Sequence, residues 1–493
     1  MTLGNEREDQ GPGAGLRSNT LSVWHLCGVG IAYQGLALAI YLNFGFIVSN
    51  VGPIVPLIFI GVSLAMVPTA ISFAVMTNRL PSSGSAYWWA TATISPRFGK
   101  WVGWVITSLY VLSLCLQPPI FGLFFNSLLE FAGVPGTWWT AALAGLAATV
   151  FVGYTTMRDV KISARVTGVL MLVEIAFVAF LSLFITIKQG AAGHLSAAPF
   201  ELSANPNGFS GIHLALVFGV LSVSGFDVVA PLAAESRSPR RYVPIAIVVS
   251  LLGAGAYMSL VSYGYVEAVP IDRFLNDFMA SGQITPILPL AHEFIGNFDL
   301  LVPLTGMTAV LASFSAVAVA ASRILYTLSS DGHAPAALGA LHHRYATPWN
   351  AQKLVLAIGV ITPTVLMLWL DHSPLTTYGW LGNCVVFFVL LTYALVNIFN
   401  IVYHVRSGQL NWLTNLVLPL LGLAFDAYVL YYAFFHTLLS SGSVKLGVSI
   451  VVFCLVWLAV GVGWALIRSR HTPATTAGPS LDGTGEDFAQ PVH

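Results

Sequence analysis

Hydrophobic residues recur along this chain in twelve long blocks. They lie at 24–48, 52–76, 99–128, 137–156, 162–187, 211–236, 243–268, 299–328, 352–371, 376–403, 412–437 and 446–468. Each has about the 20 residues that an α-helix needs to cross the hydrocarbon core of a bilayer. The pattern predicts an all-α polytopic membrane protein with twelve transmembrane helices. Polar stretches separate the blocks and close both ends. Residues 1–20 and 469–493 are rich in Gly, Pro, Ser, Thr and charge, and are expected as disordered tails. The 269–297 loop carries two apolar stretches too short to span, which predict short helices over the outer mouth. Residues 80–98 place Pro81-Ser82-Ser83-Gly84 ahead of Tyr87-Trp88-Trp89, the pattern of a short amphipathic helix at the cytoplasmic interface.

Two blocks are interrupted where they should be most apolar. The sixth contains Ser222-Val223-Ser224-Gly225-Phe226-Asp227, and the first contains Gly28-Val29-Gly30-Ile31-Ala32-Tyr33-Gln34-Gly35. No water at that depth bonds a freed backbone group, so irregular backbone is tolerated only where it lines a cavity or is buried in protein. Either interruption alone is weak, because glycine also allows membrane helices to pack closely. Five spans apart and running in opposite directions, the pair points to an inverted-repeat transporter with its solute site at the two breaks.

Charge then fixes an expected orientation. Only 8% of the 493 residues are charged and mean hydropathy is +0.80, against about 25% charged residues in soluble domains. With twelve spans and an internal N-terminus, 17 of the 20 Lys and Arg residues fall on the cytoplasmic side, and only Lys188, Arg273 and Lys445 fall outside. That bias predicts that both termini are cytoplasmic; the expected location is the plasma membrane. Residues 1–20 hold no apolar core of a cleavable signal, so the first span is expected to direct insertion. Cys27, Cys115, Cys384 and Cys454 all lie in apolar blocks and read as small hydrophobes. No histidine pair has metal spacing with a carboxylate, so no metal or cofactor is expected. Nothing points to nucleic acid, a nucleotide-driven pump or a catalytic constellation.

Four carboxylates fall inside or at the ends of spans. Glu174 lies twelve residues into its block, about 18 Å along a helix, with Thr167 two turns earlier on the same face. It is either a proton, cation or amine ligand, or a neutral packing residue. Asp227 either gates the pathway or caps the second half of its span through the Ser224-x-x-Asp227 pattern. Glu235 sits beside Arg237, Arg240 and Arg241 and reads as part of a solvated interfacial salt bridge. Asp426 reads as locally paired or facing a dimer contact.

Several motifs resemble the amino acid–polyamine–organocation permeases. They are Ser224-Gly225-Phe226-Asp227 with Ala233-Ala234-Glu235-Ser236, Pro239-Arg240-Arg241 and Pro244; Pro81-Ser82-Ser83-Gly84-Ser85-Ala86-Tyr87; and Arg323-Ile324-Leu325-Tyr326 with Asp331-Gly332, Pro335 and Tyr345-Ala346-Thr347-Pro348. The resemblance covers spans 1–10 and extends to all twelve. It implies the leucine-transporter fold, with 21–188 and 189–410 as inverted five-helix repeats and helices 11–12 in 411–468. It also implies solute binding at Ala32, Tyr33, Gln34 and Gly35 in span 1 and at Ser222, Val223, Ser224, Gly225 and Phe226 in span 6. Span 3 would add Tyr110, Ser113 and Gln117, and span 8 Ser313 and Ser315; Glu174 and Asp227 would serve coupling or gating. Two departures stand out. Tyr33-Gln34 replaces the family's G-S-G-I-F run, and Glu174 stands where many relatives carry a lysine. The function implied is a non-enzymatic permease for an amino acid or related amine, driven by a proton or by Na⁺ and working by alternating access. The alternatives are a permease for a simple cationic amine (ethanolamine, choline or a polyamine) and a solute sensor that does not translocate.

Overall fold

The computed structural model describes residues 20–158, 160–279, 285–432, 434 and 444–471. The two expected tails lie outside them, apart from Thr20 and the last turn of the final helix. The described chain is helical, and its one isolated strand-like bridge joins Leu21 to Ser236. The principal helices are α1 (Val23–Gln34), α2 (Phe44–Val51), α3 (Val55–Arg79), α4 (Ala86–Thr93), α5 (Pro96–Cys115), α6 (Gln117–Phe131), α7 (Trp138–Arg158), α8 (Val160–Ala191) and α9 (Gly208–Val223). They continue as α10 (Pro239–Val266), α11 (Ile287–Ile295), α12 (Leu301–Ser330), α13 (Trp349–Trp369), α14 (Pro374–Arg406), α15 (Leu418–Leu430) and α16 (Val444–His471). Short 3₁₀ and π segments link several of them.

Eleven helical stretches among the described residues are long and apolar enough to cross a membrane. This is a multi-pass membrane protein. One stretch, Val23–Arg79, has 57 residues, which as a single rod would measure about 85 Å against a hydrocarbon core of about 30 Å. It is broken at Gly52, where φ is +61° and Pro53 follows. The 269–297 loop forms short helical pieces over Ile271–Met279 and Ile287–Ile295.

Helices close on one another through small residues, which let backbones approach without help from water. α3 and α10 pack along most of their length, and a Cβ added at Gly255 would overlap the Ser63 side chain. α6 meets α7 where Gly122 lies against the Ala141 backbone. Large apolar side chains left exposed, such as Leu143, Val150, Phe180 and Val456, form the outward belt. All four cysteines are buried and unbridged.

Two sequence expectations change. The 80–98 segment does form a helix, but Trp89 is fully buried rather than interfacial, its indole N–H donating to the Leu80 carbonyl. Glu235 is not in a solvated cluster with Arg237, Arg240 and Arg241. It is buried, and Arg323 of α12 grips it through both oxygens, Nε–Oε1 at 2.7 Å and a terminal nitrogen to Oε2 at 3.3 Å. The reason is geometric: the second half of span 6 ends by turning inward under α12. The backbone N–H groups of Thr20 and Leu21 donate to the Glu235 carbonyl at 3.0 Å, and the Arg237 N–H returns to Leu21 at 3.0 Å. The segment before α1 is thus strapped to the end of span 6. Arg323→Ala leaves a buried carboxylate unpaired, a loss of about 3–5 kcal/mol; we expect a large drop in melting temperature in detergent, which replacing both partners with leucine largely restores.

Candidate functional site

Both interrupted spans are broken, and each break is local. Gly28 and Gly30 stay helical; a Cβ at Gly30 would overlap the Ser250 hydroxyl, so Gly30 serves packing, while Gly28 faces open space. The chain leaves helical geometry only at Gly35, with φ +60° and ψ +63°, and then continues through a π-helical turn at Ala39–Asn43. In span 6, α9 ends at Val223. Ser224 is extended, Gly225 has φ +116°, and Phe226–Glu235 forms a ten-residue 3₁₀ helix. So long a 3₁₀ run is uncommon and often marks a hinge.

Several of the groups freed at the breaks are answered by protein. Ser224 does not cap the second half; both its backbone N–H and its hydroxyl donate back to the Val220 carbonyl, at 2.8 and 2.6 Å. The Gly225 N–H donates to the Tyr393 hydroxyl at 3.3 Å. The Tyr393 hydroxyl in turn donates to Asp227 Oδ1, and the Tyr110 hydroxyl donates to Oδ2, both at 2.7 Å. In span 1, the Ser313 hydroxyl donates to the Tyr33 carbonyl at 3.0 Å. The Tyr33 ring covers Gly225 so closely that a Cβ there would overlap it.

Between the two breaks lies a cavity of about 70 Å³. Six expected site residues line it: Tyr33, Gln34, Ser113, Gln117, Ser224 and Ser313. Gln117 arrives there because Pro118 and Pro119 interrupt span 3 at the start of α6. Its amide nitrogen reaches the Ser113 carbonyl at 3.2 Å and the Ser313 hydroxyl at 3.3 Å. The remaining polar lining is Asn43 and Tyr378, and Leu38, Ile120, Val385 and Val389 supply apolar wall. No charged side chain lines it among the described residues. Both polar atoms of the Gln34 amide, and Oε1 of Gln117, are buried without a hydrogen-bond partner. Buried polar atoms are rarely left so, and each unpaired one costs about 1–3 kcal/mol.

The other expected residues lie around this cavity rather than on it. Ala32 packs on Met171 of α8 and Ala312 of α12. Gly35 supplies the left-handed turn. Ser222 accepts from Asn43 at 3.0 Å and donates to the Phe218 carbonyl at 2.7 Å. Val223 is buried in the core, and Phe226 meets Phe73 edge to face and Tyr393 at a tilt, centroids 5.9 and 5.1 Å apart. Ser315 turns back to the Leu311 carbonyl. Glu174 is fully buried one turn from Met171, and neither carboxylate oxygen has a partner among the described residues. Asp426 is paired locally, accepting from Asn397 at 3.1 Å and Thr69 at 3.4 Å. Sequence reasoning missed Asn43, Tyr378 and Tyr393. Asn43 was detectable as an amide within an apolar block, whereas a tyrosine in a membrane helix gives no such signal.

Comparison with known proteins agrees with this architecture. The family model described as amino acid permease matches residues 32–475. The chain is 24% identical to the branched-chain amino acid permease BcaP of Bacillus subtilis (strain 168), over 66% of this chain and 70% of that protein. It is 25% identical to the low-affinity putrescine importer PlaP of Escherichia coli (strain K12), over 69% of this chain and 74% of that one. The gamma-aminobutyric acid permease of the same strain is 24% identical over 80% of this chain and 81% of its own. With a match across most of its length and two broken helices around a buried polar cavity, this chain belongs to the amino acid permease family.

Proposed function

We propose that the protein is a secondary active permease that carries an amino acid or closely related amine across the plasma membrane by alternating access. The observation that carries this reading is the cavity between the helix breaks, with its unpartnered Gln34 and Gln117 amide atoms. A bound solute supplies the missing partners. Relatives whose names specify amino acids, gamma-aminobutyric acid and putrescine support the solute class. In this proposal twelve spans form two inverted five-helix repeats plus two further helices; the break at Gly52 gives the twelfth span. Both termini are cytoplasmic, on the charge bias along the sequence.

The neutral lining favours a small zwitterion over a bare cation. Its ammonium and carboxylate are met by amides, hydroxyls and half-helix ends, not by a counter-ion. A simple amine remains the second reading, because Asp227 lies just behind Tyr110 and Tyr393 at the break. Glu174 is the proton carrier in this proposal. It is buried, it has no cation beside it among the described residues, and it lies one turn from the contact between α8 and the broken span 1. The Glu235–Arg323 pair and the Leu21–Ser236 strap close the opposite end of span 6 and must part when that side opens.

Three outcomes test this. Gly225→Ala places a methyl group into the Tyr33 ring at a backbone angle that L-residues avoid. Uptake by this variant in proteoliposomes should be lost; wild-type kinetics would sink the broken-helix site. Gln117→Leu removes a solute partner worth about 1.5 kcal/mol, so the KM for uptake should rise about tenfold with folding unaffected. Glu174→Gln should abolish accumulation driven by a pH gradient while solute exchange persists. Unchanged accumulation by that variant would remove Glu174 from coupling.

A further inference from the structure

A second buried carboxylate lies apart from the cavity. Asp426 of α15 is 1% exposed, within the membrane-spanning stretch Leu413–Leu430. Asn397 of α14 and Thr69 of α3 both donate to one of its oxygens, Oδ2, and the Asn397 amide also reaches the Thr69 hydroxyl at 2.9 Å. The other oxygen, Oδ1, is buried without a partner, and so is Oδ1 of Asn397. Among the described residues no Lys, Arg or His pairs with Asp426. An intramembrane carboxylate so placed needs a positive partner or a proton.

Asn397 also belongs to a stripe. Tyr393, Asn397, Asn400 and His404 are spaced four, three and four residues apart, which sets them on one face of α14. All four are buried. Asn400 donates to Ser72 of α3 and to the Thr414 carbonyl, and accepts from Asn415, at 3.0–3.2 Å. His404 Nδ1 meets the Asn400 carbonyl at 2.9 Å. At its other end the stripe reaches the helix break, because Tyr393 donates to Asp227. The titratable and charged groups along it are therefore Asp227 and Tyr393 at the break, Asp426 from α15, and His404 with Arg79 of α3 at the far end.

We infer that Asp426 is a proton-binding site separate from the solute cavity, held in place by Asn397 of the α14 stripe and Thr69 of α3. The proton sits on Asp426 Oδ1, the oxygen that no other donor reaches; no bond to the solute is made or broken. The use of this site in transport rests on the proton-coupled reading above, but its existence does not.

The purified full-length protein in lipid vesicles tests it by infrared difference spectroscopy between acidic and alkaline buffer. A protonated carboxyl gives a carbonyl-stretch band that shifts in deuterium oxide. We expect a wild-type band that is lost in Asp426→Asn, retained at a shifted position in Asp426→Glu, and insensitive to replacing Na⁺ by choline. A band set identical in wild type and Asp426→Asn overturns the assignment. A band that disappears on adding Na⁺ at constant pH overturns it in favour of a metal cation. The same vesicles report accumulation under a pH gradient, which Asp426→Asn should lose. Wild-type accumulation that ignores the gradient strikes the coupling reading, and the infrared band then still decides whether Asp426 binds a proton.

Discussion

A hydrocarbon interior offers no partner to a freed backbone group, so each helix break must be sealed by protein. That requirement organises this molecule. The Gly225 N–H is sealed by Tyr393, the Ser224 N–H by its own preceding turn, and the Tyr33 carbonyl by Ser313. The sealing groups come from α14, α9 and α12, which brings those helices together around one point. The cavity is what remains where the seals meet, and its unpartnered amides are the places where sealing stops.

Four of the buried carboxylates are accommodated in four different ways. Glu235 has a cation, Arg323, gripping both oxygens. Asp227 has two tyrosine hydroxyls, one on each oxygen. Asp426 has two donors on the same oxygen and none on the other. Glu174 has no partner among the described residues. A buried ion pair is held by charge, and breaking it is costly. Hydroxyl and amide partners are neutral, so they tolerate a carboxyl group with or without its proton. Of these four, the one with a matched charge is Glu235, at the end of span 6.

Much of the fold and part of the site could be read in the sequence, and particular residues show where legibility ended. Block length and spacing revealed the membrane helices, because an apolar run of 20 residues has few other uses. Ser224-Gly225 revealed the span 6 break and Gln34 stood out inside its apolar block, whereas Ser113, Gln117 and Ser313 came only from the resemblance to the permease family. Gly28 and Gly30 misled about the width of the span 1 break, since glycine serves close packing and irregular backbone alike. Glu235 misled because its neighbours in sequence are arginines, while its partner in space lies 88 residues away. Tyr393 was invisible, since its role comes from a hydroxyl placed by tertiary contact with Gly225 and Asp227.

The tight winding of Phe226–Glu235 has a mechanical consequence. Ten residues in 3₁₀ geometry extend about 20 Å, whereas the same residues wound as an α-helix extend about 15 Å. The segment therefore reaches about 5 Å further than an α-helix of the same residues. Its lower end is tethered through Glu235 to Arg323 and to the strand-like strap at Leu21, and its upper end hangs from Gly225 under Tyr33. The extra reach is what lets only ten residues run from the glycine at the break to the buried Glu235–Arg323 grip.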